Sequence, residues 1–266
     1  MHPIERLRYV ARATGYPQST VVGEAARALA SFTSDPQGLV TACRRLVSRQ
    51  PGSAPLIWLC ARVLTAGDPR LEIHEALDEL EGDRTAGELA HAVPEDATVL
   101  VLGWPELVSE ALPRRGDLEV LVVDVLSEGS GLVRRLLQAD VDAVDVPVAG
   151  LGAAAAEADL ILLEASAVGP HEFMAVSGSR AAAAVARHAG RPVWLVAGVG
   201  RLLPERMWSP MRERVLTDET WDADDEAVPL DLVDRIVGPD GPREVADALR
   251  RTDCPVAPEL FKGDVL

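Results

Sequence analysis

Apolar residues recur at helical spacing through the first third of the chain. Leu, Val, Ile and Ala return every three or four positions, and short turns rich in Gly, Pro and Asp interrupt the pattern. These segments are 4–14, 19–32, 38–49 and 55–67. Ser19 or Thr20, and Ser34 or Asp35, are of the residue types that cap helix starts. The pattern predicts an all-helical domain over residues 1–93.

The pattern changes near Pro94, after which short continuous apolar runs appear. They are rich in Val, Leu and Ile and lack strict alternation, as is typical of central strands in a parallel sheet. The runs are 98–103, 118–125, 142–150, 159–165 and 192–198. Helix-like segments separate them, so we predict an α/β fold class. The helical domain is followed by a doubly wound, mostly parallel Rossmann-like sheet over 94–266, with loops and short helices after residue 200.

Charge and hydropathy exclude two classes of partner. The net charge is −16. Such a chain repels the phosphates of nucleic acid, whose binding draws on basic side chains, so direct nucleic-acid binding is not expected. No apolar stretch approaches the roughly 20 residues of a membrane span. We expect a cytoplasmic protein that does not contact a membrane.

The chemistry-bearing residue types are sparse. Cys43, Cys60 and Cys254 lie far apart and show no metal-site or redox spacing, so we expect buried free thiols, no metal and no cofactor. Lys262 is the only lysine, and the chain has no asparagine. A P-loop and an internal Schiff-base lysine are thereby excluded. An anion must be held by arginine or by backbone N–H groups at a helix start.

Ligands of open α/β sheets bind beyond the carboxyl ends of the strands, so the residues that follow each run are candidates. They are Gly103, Trp104, Asp124, Glu164, Ser166 and Arg201. Glu164 and Asp124 are the candidate catalytic acids, if the protein is an enzyme. Gly150-Leu151-Gly152 has the start of a dinucleotide turn, but the next strand follows too soon for the helix of that motif. No serine lies in a G-x-S-x-G elbow.

The best anion site in the sequence is a helix start. Ser177, Gly178, Ser179 and Arg180 precede or open an alanine-rich helix, where unpaired N–H groups and the helix dipole favour a phosphate. The alternative is that Ser177 or Ser179 only caps the helix.

Residues 158–198, ADLILLEASAVGPHEFMAVSGSRAAAAVARHAGRPVWLVAG, resemble the signature region of a known family. It contains the alpha, beta and delta regulatory subunits of initiation factor 2B, together with methylthioribose-1-phosphate isomerase and ribose-1,5-bisphosphate isomerase. Segments 48–64 and 228–249 are similar to flanking parts of that family. The resemblance implies a homodimer with a sugar-phosphate or nucleotide ligand, and makes Arg49 a candidate phosphate-facing residue.

The chain departs from the isomerases of this family at their chemical positions. Gly103 and Trp104 stand where the resemblance places a catalytic cysteine, Ser166 stands at the aspartate, and the asparagine-lysine pair falls on Ala175-Val176. We therefore expect a non-catalytic binding or regulatory protein. The alternatives are a divergent aldose–ketose isomerase that uses Glu164, Asp124 and Arg180, and a protein–protein interaction module.

Overall fold

A computed structural model describes residues 17–216 and 218–262. The helix predicted at 4–14 lies outside these residues. The rest of the N-terminal third is helical, as predicted, and consists of α1 (Gln18–Leu29), α2 (Pro36–Arg49), α3 (Ala54–Thr65), α4 (Pro69–Glu81) and α5 (Thr85–Ala92).

Aspartate caps begin two of these helices. The Asp35 carboxylate accepts a hydrogen bond from the N–H of Gly38 at 3.0 Å, which confirms it as the cap of α2. Asp68 caps α4 in the same way. The prediction for α1 was wrong, because that helix begins directly after Pro17, and neither Ser19 nor Thr20 caps it. A glutamate from another element takes that role.

The predicted parallel sheet is confirmed. Its strands from the five predicted runs are β1 (Thr98–Leu102), β2 (Glu119–Val123), β3 (Asp142–Val146), β4 (Leu160–Glu164) and β7 (Val193–Val196). Two further strands, β9 (Arg235–Gly238) and β10 (Gly241–Glu244), extend it to the order β10-β9-β7-β4-β1-β2-β3. All neighbouring pairs are parallel except β9 and β10. The connecting helices pack on both faces, which makes the sheet doubly wound.

The helices of this region are α6 (Glu106–Ala111), α7 (Gly129–Gln138), α8 (Leu151–Glu157), α9 (Ser179–His188), α10 (Glu205–Val215) and α11 (Val245–Leu249). A small antiparallel sheet is formed by β5 (Ala167–Val168), β6 (Glu172–Val176) and β8 (Asp225–Pro229). The prediction of only loops and short helices after residue 200 was wrong for β8, β9 and β10. Charged residues and proline interrupt these strands, so they lack the long apolar run of a central strand.

The change from helices to strands occurs between Ala92 and Thr98, yet the hydrophobic cores cross this point. The core of the helical third also contains Met174, Met207 and Cys254 from the C-terminal part of the chain. Helix α5 instead packs on one face of the large sheet. No helix within 17–216 or 218–262 has the length and apolarity needed to cross a membrane.

Candidate functional site

A cavity of about 1070 Å³ opens at the carboxyl ends of β1 and β4. The chain runs from β1 outward to β2 and β3 and then returns to the other side of β1 with β4. This reversal of strand order leaves a crevice at the strand ends, which is where ligands of doubly wound sheets bind. Gly103 and Trp104 after β1, and Ser166 after β4, line this cavity as the sequence predicts.

A buried ion pair forms part of the cavity wall. Arg201 Nη1 donates to Glu164 Oε1 at 2.8 Å and to the carbonyl oxygen of Ala165 at 2.6 Å. The side chains of Arg201 and Glu164 are only 6% and 8% exposed. A charge buried to this degree is stable only when it is paired and hydrogen-bonded. The pair is therefore a structural element of the cavity wall.

The second oxygen of Glu164 caps a helix. Glu164 Oε2 accepts from the N–H groups of Leu107 at 2.8 Å and Val108 at 3.0 Å, in the first turn of α6. Burial raises the pKa of Glu164, while Arg201 and the Val108 N–H favour its charged form. Within the protein, Glu164 thus accepts three hydrogen bonds, which hold its carboxylate between Arg201 and the start of α6.

Glu106 extends this network to the N-terminal helices. Arg201 Nη2 lies 3.3 Å from Glu106 Oε2, and the same oxygen accepts from the backbone N–H of Gln18 at 3.0 Å. The hydroxyl and backbone N–H of Ser19 also donate to Glu106. Glu106 is thus the acidic group at the start of α1. The Arg201 guanidinium therefore binds both Glu106, which accepts from the start of α1, and Glu164, which accepts from the start of α6.

The Cζ3 edge of the Trp104 ring contacts the start of α7 at Gly131. A Cβ atom built on Gly131 would lie 2.6 Å from Cζ3 of the indole, so only glycine permits this approach. The Trp104 residue remains 40% exposed and lines the cavity. Arg134 and Arg135 follow Gly131 by three and four positions, on the same face of α7, and also line the cavity. In the part of the chain that the structure describes, neither guanidinium has an ion-pair or hydrogen-bond partner.

The predicted anion site at the start of α9 is filled by an acid of this chain. Glu226 Oε1 accepts from the N–H groups of Gly178 at 2.7 Å and Arg180 at 3.0 Å. Gly178 takes a left-handed conformation with φ of +101°, which aims these groups at one point. Ser177 donates to the carbonyl of Ala223 instead of capping the helix. An external phosphate at this helix start has to displace Glu226.

The chain is similar in structure to known proteins. No protein-family model matches it, and no curated protein matches it in sequence. The Pyrococcus horikoshii OT3 translation initiation factor eIF-2B superposes with a TM-score of 0.77 at 14% identity, covering 93% of this chain and 98% of that chain. The chain has the eIF2B-subunit fold. This finding confirms the resemblance seen in the sequence at the level of the fold.

Two Chaetomium thermophilum structures agree. The eIF2B beta subunit gives a TM-score of 0.70 at 21% identity over 91% of this chain and 86% of that chain. A chain of the tetrameric eIF2B-beta2-delta2 complex gives 0.75 at 20% identity over 93% and 91%. The eIF2B-like fold therefore spans both the helical third and the sheet.

Within this eIF2B-like fold, the residues of the predicted site separate into two groups. Glu164 and Ser179 join Gly103, Trp104 and Ser166 in the cavity wall. The structure does not bring the others into that wall; they are Arg49, Asp124, Ser177, Gly178 and Arg180. Asp124 Oδ1 accepts from the N–H of Gly129 at 2.8 Å, at the beginning of α7. Asp124 and Glu164 thus each begin a different helix.

Sequence reasoning missed Glu106, Arg134, Arg135 and Glu226. Glu106 follows Trp104-Pro105, and nothing in the sequence distinguishes it from an ordinary acid in the first turn of a helix. Glu226 lies in an acidic run whose sequence is typical of a solvated loop. A signal for the arginines was present, since Gly131, Arg134 and Arg135 share helical spacing near a strand end. Among the described residues, no cluster of three or more His, Cys, Asp or Glu side chains forms a metal site.

Proposed function

We propose that this protein is a non-catalytic, initiation-factor-2B-like regulatory protein that binds a sugar phosphate or nucleotide in the cavity between β1 and β4. The observation that carries this proposal is the cavity itself, at the switch point of the sheet, with unpaired arginines and an open indole in its wall. The side-chain oxygen of Gln18 supports it. Oε1 of this cavity residue is buried and has no partner among the described residues, so a ligand N–H or O–H is its natural donor.

The contacts that Glu164 and Asp124 make within the protein support the proposed absence of catalysis. Isomerisation of an aldose phosphate needs one group to move a proton and another to stabilise the adjacent oxygen. Glu164 is bound to Arg201 and to two N–H groups, and Asp124 caps α7 outside the cavity wall. In the divergent-isomerase alternative Glu164 has to take a proton next to Arg201, which favours the charged form of Glu164 and so opposes that protonation.

A thermal-shift screen tests the binding. Purified protein is heated with adenosine 5′-monophosphate (AMP), ribose 5-phosphate, methylthioribose 1-phosphate or ribose 1,5-bisphosphate. A ligand at about 100 times its Kd stabilises the folded state by about 2.7 kcal/mol. We expect at least one of these compounds to raise Tm in a saturable manner.

Two tryptophan variants place the ligand. Ser130→Trp fills the cavity, because Ser130 lies in its wall on α7, whereas Ser48→Trp adds the same side chain to an exposed position of α2. The ligand-induced shift should disappear in the first variant and persist in the second. A screen in which no compound raises Tm refutes the proposed function and leaves the interaction-module alternative.

We further propose that two copies of the chain associate, and that the outer edge of β3 takes part. This strand ends the seven-stranded sheet, and Val144 on it is 48% exposed. Val148, in the turn that follows the strand, is 56% exposed. An unpaired strand edge with exposed apolar side chains favours a protein contact. A dimer mass in light scattering that becomes a monomer mass in Val144→Asp supports this contact, and a monomeric wild type excludes it.

A cytoplasmic location is part of the same proposal. Cys43, Cys60 and Cys254 are all free and buried, as is typical of proteins kept in a reducing compartment.

A further inference from the structure

A second cavity, of about 540 Å³, lies between the helical third and the β9–β10 edge of the large sheet. It is enclosed by the end of α4, the segment 197–202 after β7, the turn between β9 and β10, and the residues after α11. Arg201 lines the first cavity, whereas its neighbours Gly200 and Leu202 line the second. Among the described residues, none lines both cavities. The second cavity is therefore a separate site, of a size that small ligands occupy.

The floor of this second cavity is aliphatic. Its side chains come from Val199, Leu202, Ile236 and Ala248. Ile236 and Ala248 are buried in the core on one face of the large sheet, which holds them in place. Aliphatic side chains neither donate nor accept hydrogen bonds, so this floor favours an apolar group of the ligand.

One part of the wall carries excess negative charge. Asp78 and Glu79 lie in the last turn of α4, which contains no basic residue. The carboxyl end of a helix itself carries a partial negative charge, so acids at this position favour a nearby cation. Arg62 Nη1 neutralises Glu79 Oε2 at 2.6 Å. The Asp78 carboxylate has no such partner in the part of the chain that the structure describes.

Asp253 adds a second carboxylate without a cation. Its Oδ2 accepts a hydrogen bond from Nε1 of Trp58 at 3.2 Å, and no other described side chain donates to it. Burial raises the pKa of Asp253, and the negative charge of Glu79 raises it further. A positive charge beside this carboxylate opposes both effects. Asp78 and Asp253 together favour an ammonium group.

Another part of the wall carries excess positive charge, because three guanidiniums surround the single carboxylate of Asp240. Arg251 Nη1 and Arg243 Nη2 lie 2.7 Å and 3.4 Å from Asp240 Oδ2. Arg84 Nη2 lies 3.7 Å from Asp240 Oδ1. One carboxylate cannot neutralise three guanidiniums, and Arg243 and Arg251 both line the cavity. This part of the wall favours a carboxylate supplied by the ligand.

We propose that the second cavity binds a free amino acid with an aliphatic side chain. Its ammonium group contacts Asp78 and Asp253, its carboxylate contacts Arg243 and Arg251, and its side chain covers the aliphatic floor. An alkylamine satisfies the acids but leaves the arginines without an anion. A fatty acid of the same length satisfies the arginines but leaves the acids without a cation. Glycine satisfies both charges but leaves the floor uncovered.

Calorimetric titration separates these three contributions, with leucine, glycine, isoamylamine and isocaproate as probes. Isoamylamine is leucine without its carboxylate, and isocaproate is leucine without its ammonium group. A hydrogen bond to a charged group, or a buried aliphatic side chain, changes affinity by about 10-fold or more. We expect leucine to bind at least that much more tightly than each of the other three probes.

Charge-removing variants place the two ends of the ligand. Asp253→Asn keeps an oxygen for the Trp58 N–H, and should weaken leucine and isoamylamine about 10-fold but not isocaproate. Arg251→Gln should weaken leucine and isocaproate but not isoamylamine. The matched controls are Asp247→Asn and Arg250→Gln, an exposed ion pair on the same part of the chain that does not line the cavity. Both controls should bind leucine like the wild type.

Four results overturn the assignment. They are no binding of leucine, isoamylamine binding as tightly as leucine, unchanged leucine affinity in Asp253→Asn, and an equal loss in Asp247→Asn. None of the four probes contains a phosphate, and the two cavities have separate walls. A failure here therefore leaves the proposed function of the first cavity standing, and a failure of the phosphate screen leaves this inference standing.

Discussion

Arg201 Nη1 lies 2.8 Å from Glu164 Oε1, and both side chains are buried in the wall of the cavity. The pair joins the end of β4 to the segment after β7 and, through Glu164, fixes the start of α6. The acid that the sequence offers as a catalytic base is therefore part of the framework of the cavity.

Breaking this pair on one side should destabilise the protein more than removing both partners. Arg201→Met leaves a buried carboxylate without its cation, at a cost of about 3–5 kcal/mol in the free energy of unfolding. Arg201→Met/Glu164→Gln removes both charges and should recover part of that loss. Urea denaturation of Arg201→Met, Glu164→Gln, the double variant and the wild type gives the coupling energy between the two side chains. Strictly additive effects would contradict a structural pair.

The stability of Arg201→Met should also depend on pH more steeply than that of the wild type. Burial already raises the pKa of Glu164, and removing Arg201 raises it further. A carboxyl group whose pKa is raised in the folded state binds its proton more tightly there, so stability is present at low pH and is lost as pH rises through that folded pKa. In thermal unfolding, the stability that Arg201→Met loses relative to the wild type should be smaller at pH 5 than at pH 8. An equal loss at both pH values would refute the ion pair between Arg201 and Glu164 as the cause.

Removing Glu226 should uncover the start of α9. Glu226→Ala leaves the N–H groups of Gly178 and Arg180 without their acceptor, which should cost about 1 kcal/mol of stability. Inorganic phosphate should raise the Tm of this variant more than that of the wild type, because an anion then replaces the carboxylate. Glu213→Ala, an exposed acid on α10, is the charge-matched control and should respond like the wild type. Equal phosphate responses in all three proteins would remove α9 as an anion site.

The cysteines should be inert in the folded protein. Burial and the nearby Asp253 raise the pKa of Cys254 to about 12, and a hydrogen bond to Cys43, together with burial, raises the pKa of Cys60. The thiolate is the reactive form, so iodoacetamide at pH 8 should not modify these thiols until urea unfolds the chain. Mass spectrometry counts the labels, and rapid labelling of the native protein would show that a thiol is accessible.

Apolar periodicity was sufficient to predict the central strands and the helical third. β1, β2, β4 and β7 are continuous apolar runs, because both faces of the sheet are covered. The strand ends also predict Gly103, Trp104 and Ser166 in the cavity wall. Arg201, the partner of Glu164, lies 37 positions away in the sequence, and Glu226 lies 48 positions from Gly178 at the start of α9. A local sequence pattern does not encode contacts at such separations. β8 begins with acids, and therefore reads as a loop until it pairs with β6.

Phosphorus NMR tests ligand binding and the absence of isomerisation in one type of measurement. Wild-type protein is incubated with equimolar AMP in one sample and with equimolar methylthioribose 1-phosphate in a second sample, and the phosphorus resonances are followed over hours. We expect the AMP resonance to broaden as AMP binds, and methylthioribose 1-phosphate to persist as the aldose. A sharp, unshifted AMP resonance would contradict the binding claim. Ketose phosphate that accumulates with wild type and not with Glu164→Gln would show that the protein is an isomerase.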